Sequence, residues 1–111
     1  MDKKSYLSYS EAVILQAIAS SYRYGFDIMD ISGLPSGTVY PALRRLEETG
    51  LVESRWEKEG VAQRAQRPPR KYYELTRVGK EALAEALKRY RLLDRLMPRV
   101  PRSVKPSTER G

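Results

Sequence analysis

The 111-residue sequence contains no cysteine and no histidine. These two absences exclude disulfides, thiolate nucleophiles, imidazole bases and the Cys/His zinc sites of many small domains. Long apolar runs are missing as well, since the longest, Ala12-Val13-Ile14-Leu15, falls far short of the ~20 residues that span a bilayer. Glu11 and Gln16 interrupt the only stretch that follows basic residues in the manner of a signal peptide. We therefore expect a cytoplasmic protein with no membrane segment and no metal or other cofactor.

The balance of charge is strongly basic. Lys and Arg number 21 against 14 Asp and Glu, which gives a formal net charge of +7. Only 3 of those 21 basic residues lie within residues 1–40, so the excess of positive charge belongs to the second half of the chain. Such a distribution favours a polyanionic partner that contacts one side of a single small domain.

Two helices are predicted near the start. Ser8-Tyr9-Ser10-Glu11 has the spacing of a capping box, and the helix after it should bury one face. That face consists of Val13, Ile14, Ala17 and Ile18. A second, short helix follows Tyr24-Gly25 and should end at Gly33, because glycine readily adopts the positive φ of a helix C-terminus. Its apolar residues are Phe26, Ile28, Met29 and Ile31.

A third helix is predicted after Pro35, with Ser36 as its N-cap. Val39, Leu43 and Leu46 recur at helical spacing and should point inward, and Gly50 should end the helix. The opposite and flanking faces then remain available for a partner. Pro41 lies inside this helix, where it removes one backbone hydrogen bond.

The periodicity changes after Gly50. Residues 51–56 and 70–75 read as two strands that pair in a hairpin, joined by a long connection that ends in Pro68-Pro69. We expect this connection to project as a mobile wing. No acidic residue occurs from Gly60 to Lys71. The basic residues of the wing are Arg64, Arg67, Arg70 and Lys71.

A last helix should begin after Thr76, its N-cap, and continue to about Met97, since Pro98 blocks continuation. Part of its apolar surface, at Val78, Ala82 and Ala86, can pack on the domain. The remainder repeats at coiled-coil spacing and should form a two-fold interface with a second copy. This predicted dimer interface consists of Leu83, Leu87, Tyr90, Leu93 and Met97.

These elements predict a mainly α fold with a small β-hairpin, a winged helix-turn-helix with a C-terminal dimerisation helix. We divide the chain into a DNA-binding domain over residues 1–76, a dimerisation helix over 77–97 and a disordered basic tail over 98–111.

Three stretches carry a resemblance to a known family. They are Ser36-Gly37-Thr38-Val39-Tyr40-Pro41-Ala42-Leu43-Arg44-Arg45-Leu46-Glu47, then Gly50-Leu51-Val52-Glu53-Ser54, and Arg70-Lys71-Tyr72-Tyr73-Glu74-Leu75-Thr76 with Gly79. Together they resemble the PadR family of bacterial transcriptional regulators over roughly residues 10–90. The resemblance implies a homodimer that binds an inverted-repeat operator, usually as a repressor, and that a small molecule often releases.

The predicted contacts with double-stranded DNA lie on the third helix and the wing. They are Ser36, Gly37, Thr38, Tyr40, Pro41, Arg44, Arg64, Arg67, Arg70 and Lys71. Several of these residue types have a structural alternative. Tyr40 could be a packing residue, and Arg44 and Arg45 could form a solvated face paired with nearby glutamates. Trp56 suits either packing or the lining of an aromatic ligand pocket, and packing is the more common role.

Two other classes of function remain open at this stage. A winged helix can act as a protein- or RNA-interaction module without operator specificity. An enzyme is the weaker alternative, because the available carboxylates, lysines, serines and tyrosines show no recognisable catalytic spacing.

Overall fold

The computed structural model describes residues 7–91. Within that range the chain forms, in order, helices α1 (Tyr9–Ala19), α2 (Gly25–Ser32) and α3 (Ser36–Glu48), strand β1 (Val52–Trp56), helix α4 (Glu59–Arg64), strand β2 (Lys71–Leu75) and helix α5 (Arg77–Arg89). The two strands pair antiparallel, with Val52 opposite Leu75 and Trp56 opposite Lys71. The predicted mainly α fold with one hairpin is therefore confirmed.

Helix α1 lies at the centre of the domain. Its capping box forms as predicted: the Glu11 N–H donates to Ser8 Oγ at 3.1 Å and the Ser8 N–H donates to Glu11 Oε1 at 2.9 Å. The prediction of a single buried face is wrong, because every residue from Ala12 to Ile18 is buried. The helix packs against α2, α3, α5 and β2, so neighbours surround it on several sides.

Helix α1 ends without a glycine. The Tyr22 N–H donates to the Ala17 carbonyl at 2.9 Å and the Ser21 N–H donates to the Ile18 carbonyl at 3.0 Å, the two bonds of a Schellman motif. This motif places Ser21 at a φ of +75°, a left-handed conformation that glycine normally supplies.

Helices α2 and α3 form the helix-turn-helix. Gly33 ends α2 at a φ of +75°, as predicted. The N-cap prediction for α3 is wrong: Pro35 occupies the N-cap and Ser36 is the first helical residue, so the Ser36 side chain makes no capping hydrogen bond. Proline suits this boundary because its extended backbone ends the turn before the helix begins.

The inward face and the end of α3 match the predictions. Val39, Leu43 and Leu46 are buried in the core. Gly50, at a φ of +81°, follows the helix, and the Leu51 N–H donates to the Leu46 carbonyl at 2.9 Å. This Schellman motif leads the chain directly from α3 into β1.

The connection between the strands is more ordered than the sequence predicts. It contains the helix α4, in which Ala62 is buried, and is therefore not the mobile loop that its length predicts. The hairpin is also attached to the helical part of the domain. Tyr72 forms a β-bridge with Tyr24, and the Tyr73 N–H donates to the Arg23 carbonyl at 2.8 Å.

Helix α5 begins as predicted, with Thr76 Oγ1 accepting the Gly79 N–H at 3.0 Å. Gly79 is buried against the backbone of Leu51, and any side chain there would collide with the Leu51 carbonyl. Glycine at this position therefore permits α5 to lie against the connection between α3 and β1.

The predicted division of the α5 apolar surface needs correction. Leu83 is buried in the core of the domain and Leu87 packs against that core, whereas Val78 is 55% exposed. Tyr90 is half-buried: its hydroxyl donates to the Leu7 carbonyl at 3.0 Å, and its ring meets that of Tyr9 edge-on. The physical reason is that α1 and β2 provide an apolar surface that α5 covers with its larger side chains.

Helix α5 ends at Arg89, and Tyr90 has a non-helical backbone, so the predicted continuous helix is interrupted there. Leu93, Met97 and the predicted tail over residues 98–111 lie outside the described residues. The proposed division of the chain at residues 76 and 97 stays a prediction. Among residues 7–91, no helix has the length and apolar character needed to cross a membrane.

The strained end of α1 gives a stability test. We expect Ser21→Gly to raise the free energy of unfolding by about 1 kcal/mol, because it removes the left-handed penalty of a residue with a Cβ. Gly33 is the matched control, since it has the same φ and nothing lies within 4 Å of the Cβ position. Gly33→Ser should lower stability by a similar amount. Urea unfolding of both variants measures the effect, and equal destabilisation by both would contradict the assignment of strain to Ser21.

Candidate nucleic-acid interface

One side of α3 faces solvent. Ser36, Gly37 and Arg44 are exposed and Pro41 is partly exposed, and together with Tyr40, which is 44% exposed, they form what we call the recognition face. Thr38 lies beside this face and is half-buried. The structure thus brings the predicted α3 residues together on the side of the helix away from the core.

The Tyr40 side chain is partly packed against the protein and partly open to solvent. Its ring lies over the Gly25 backbone at the start of α2, where a Cβ on Gly25 would fall 2.6 Å from Tyr40 Cζ. The remainder of the side chain is open to solvent. Gly25 therefore leaves room for the Tyr40 ring, a role that the sequence analysis missed because the two residues lie on different helices.

A cleft of about 490 Å³ separates the start of α2, the recognition face and the hairpin. Aromatic and basic side chains alternate around it. They include Tyr24, Tyr40, Arg44, Trp56, Arg70 and Lys71. Trp56 is 63% exposed at the rim of this cleft, so the interpretation of Trp56 as a core packing residue is wrong.

The two neighbouring arginines of α3 differ in their partners. Arg45 Nε lies 3.1 Å from Glu11 Oε2 at the start of α1. Arg44 has no carboxylate partner among residues 7–91, because Glu47 is engaged by the hairpin. The Glu47 carboxylate accepts the Ser54 hydroxyl at 2.6 Å and lies 3.7 Å from Lys71 Nζ. Arg44 is therefore the arginine whose charge remains available to an anion.

Glu57 organises the connection that follows β1. Its carboxylate accepts two hydrogen bonds from the Arg67 guanidinium, at 2.6 and 2.8 Å, one from the Arg70 N–H at 3.2 Å and one from the Tyr72 hydroxyl at 3.2 Å. The Glu57 side chain is only 6% exposed. Hydrogen bonding from Arg67 is the largest cause that lowers the pKa of Glu57, from 4.5 to about 2.

The basic residues of the wing therefore differ in availability. Arg67 is already paired with Glu57, so a DNA phosphate would have to compete with this carboxylate for its guanidinium. The DNA contact of Arg67 stays a prediction. Arg70 stacks over the Tyr24 ring, with Cζ 4.2 Å from the centroid. Lys71 Nζ lies 5.8 Å from the Trp56 ring centroid. Arg64 is exposed at the end of α4.

The sequence analysis missed Glu57, and the reason is physical. Nothing in the spacing of Glu57 from Arg67 indicates a contact, because the two residues meet only through the fold of the connection between the strands. Over residues 7–91, no group of three or more carboxylates and other ligating side chains is placed to hold a metal ion.

The lowered pKa of Glu57 predicts a pH dependence of stability. Since this pKa is lower in the folded state than in the unfolded state, the carboxylate stabilises the fold fully above about pH 5 and progressively less as the pH falls toward 2. We expect the difference in Tm between the native protein and Glu57→Gln to be constant from about pH 7 to 5 and to shrink below about pH 4.

Glu53→Gln is the control for this measurement, because Glu53 is exposed on the same hairpin. Its difference in Tm from the native protein should be small throughout. A Glu57→Gln difference that is the same at every pH would contradict the assigned role of the carboxylate.

The chain is similar to known proteins. Residues 14–85 match the model of the transcriptional regulator PadR-like family. No curated protein matches the chain.

Several solved structures are similar. A PadR family transcription regulator from Clostridium difficile is 29% identical, with a TM-score of 0.63 over 81% of this chain and 95% of that one. A Streptococcus mutans protein is 26% identical, with a TM-score of 0.60 over 79% and 83% of the two chains. A PadR-like transcription factor from Bacteroides fragilis is 28% identical, with a TM-score of 0.55 over 76% and 82%. The chain belongs to the PadR-like family of transcriptional regulators and has their winged-helix fold.

Proposed function

We propose that this regulator binds an inverted-repeat DNA operator as a homodimer and represses transcription by occupying it. The observation that carries the proposal is the exposed recognition face of α3, which carries the unpaired Arg44 beside a cleft lined by Arg70 and Lys71. An exposed helix with a free arginine and a basic neighbouring groove suits a duplex whose bases and phosphates are read together.

Helix α3 supplies the contacts that read sequence. Its N-terminal turn offers backbone N–H groups to a phosphate, and Gly37 allows close approach because nothing lies within 4 Å of its Cβ position. The Ser36 hydroxyl makes no capping bond and is available to the same phosphate. Arg44 reaches a base edge, Tyr40 and Thr38 offer hydroxyls, and the Pro41 ring suits a thymine methyl group.

The wing supplies contacts to the sugar-phosphate backbone or the minor groove. Arg70 and Lys71 border the cleft on the hairpin side, and Arg64 extends the positive charge along α4. These residues contribute affinity and register with little sequence information, because every duplex carries the same phosphates.

Dimerisation is proposed through the C-terminal part of the chain. Leu83 is buried in its own subunit, so the interface depends on the partly covered Leu87 together with Leu93 and Met97. A two-fold dimer would present two recognition helices to the two halves of an inverted repeat. We also propose a cytoplasmic location, and release by a small molecule as the family resemblance implies.

Arg44 and Arg45 give the test of operator recognition. An operator is first selected from random duplexes with the native protein, and affinities are then measured by fluorescence anisotropy. We expect Arg44→Ala to weaken operator binding by about 1–3 kcal/mol and to reduce the preference over a scrambled duplex. Arg45→Ala is the matched control, because Arg45 is paired with Glu11.

The control should change operator affinity little and cost at most about 1 kcal/mol of stability, as exposed ion pairs do. Equal losses of affinity in both variants would show that the arginines act only as diffuse charge. Preference for duplex RNA over duplex DNA at matched salt would favour an RNA-interaction module instead.

The dimer is tested by charge placed at the predicted interface. We expect the double variant Leu93→Glu, Met97→Glu to sediment as a monomer and to lose operator affinity, because two buried charges per subunit disfavour association. Val78→Glu is the control, since Val78 is already exposed on α5. A double variant that still sediments as a dimer would place the interface elsewhere.

A further inference from the structure

We propose that Glu57 is a positioning residue for DNA binding: it holds the wing so that Arg70 faces the cleft, and it keeps Arg67 from contacting phosphate. This proposal rests on the proposed function, since it requires the wing to lie against DNA. It reassigns Arg67 from a direct contact to a support for Glu57.

The Glu57 carboxylate joins the two ends of the connection between the strands. Glu57 follows β1 directly, whereas Arg67 and Arg70 lie near the other end of the connection and Tyr72 lies in β2. The Glu57 N–H also donates to the Arg70 carbonyl at 2.7 Å. Backbone and side chain of one residue therefore bind the two ends of the wing together.

The contacts of Glu57 also connect the wing to Tyr24. Tyr72, whose hydroxyl Glu57 accepts, meets the Tyr24 ring edge-on with centroids 5.3 Å apart. The Arg70 N–H donates to the same carboxylate, and the Arg70 guanidinium stacks over the Tyr24 ring. Tyr24 precedes α2, so the carboxylate fixes Arg70 relative to the helix-turn-helix.

The negative charge of Glu57 is neutralised within the wing. An acidic residue in a DNA-facing segment repels phosphate, and its removal ordinarily raises affinity. Glu57 is 6% exposed and its charge is compensated by the bidentate Arg67 pair, so its repulsion is weak and its geometric role remains. Removing the Glu57 charge should therefore lower the affinity for DNA, whereas simple electrostatics predicts that it raises the affinity.

The experiment uses a random-sequence duplex of about 24 base pairs, because non-specific binding reports the phosphate contacts of the wing. Affinities of the full chain are measured by fluorescence anisotropy over a series of salt concentrations. The variants are Glu57→Gln, Arg67→Lys, the combination of both, and Arg70→Gln as a benchmark for a direct phosphate contact.

We expect Glu57→Gln to weaken binding roughly three- to tenfold although it removes a negative charge, because charge-assisted bonds that fix Arg70 are lost. Arg67→Lys should weaken binding similarly, since lysine keeps the charge but cannot form the bidentate pair. The combined variant should bind DNA no more weakly than the single variant with the lower affinity, because both substitutions remove the same ion pair. Arg70→Gln should reduce the slope of log affinity against log salt by about 0.9.

Arg67→Lys keeps the test valid if Glu57→Gln folds poorly, and melting curves of each variant exclude global unfolding as the cause. Tighter binding by Glu57→Gln, or native affinity in Arg67→Lys, would overturn the positioning role and restore Arg67 as a phosphate contact. An unchanged salt slope in Arg70→Gln would show that the wing does not touch DNA, which overturns the wing contact of the proposed function and this proposal together.

Discussion

The burial of α1 is the constraint on which the rest of the domain depends. Its residues from Ala12 to Ile18 are all covered, because α2, α3, α5 and β2 pack around this helix. Each neighbouring element packs its apolar face toward this central helix. In α3 that face consists of Val39, Leu43 and Leu46, which are buried in the core. The opposite side of α3 is then left to solvent, which is what makes it available to a duplex.

Local signals predicted the elements well, because caps and turns depend on few residues. The Ser8–Glu11 capping box, the Thr76 cap and the positive φ at Gly33 and Gly50 all formed as predicted. Contacts between distant segments were harder to predict. Leu83 was assigned to a partner because its spacing fits a coiled coil, yet β2 and α1 lie close enough to cover it within the subunit.

In the candidate site, too, features that depend on neighbouring residues are predictable from the sequence, whereas contacts between distant segments are not. The sequence placed Gly37, Tyr40 and Arg44 on one helical face, because helical periodicity alone decides it. The sequence alone does not distinguish Arg70, which stacks on Tyr24, from Arg67, which is paired with Glu57. That difference depends on where Glu57 lies in the folded connection. Of the two roles that the sequence leaves open for Trp56, packing is the more common, yet at the end of the two-stranded hairpin its side chain is 63% exposed.

The contact between Gly79 and Leu51 links two parts of the molecule that have different tasks. Leu51 follows the end of α3, and Thr76 Oγ1 donates to the Gly50 carbonyl at 2.6 Å beside the same contact. A rotation of α5 would therefore have to break this backbone contact or move Leu51 with it. In a dimer joined through the C-terminal segment, the contact between Gly79 and Leu51 would couple the angle between the subunits to the distance between the two recognition helices. That distance sets the spacing of the operator half-sites that the protein accepts.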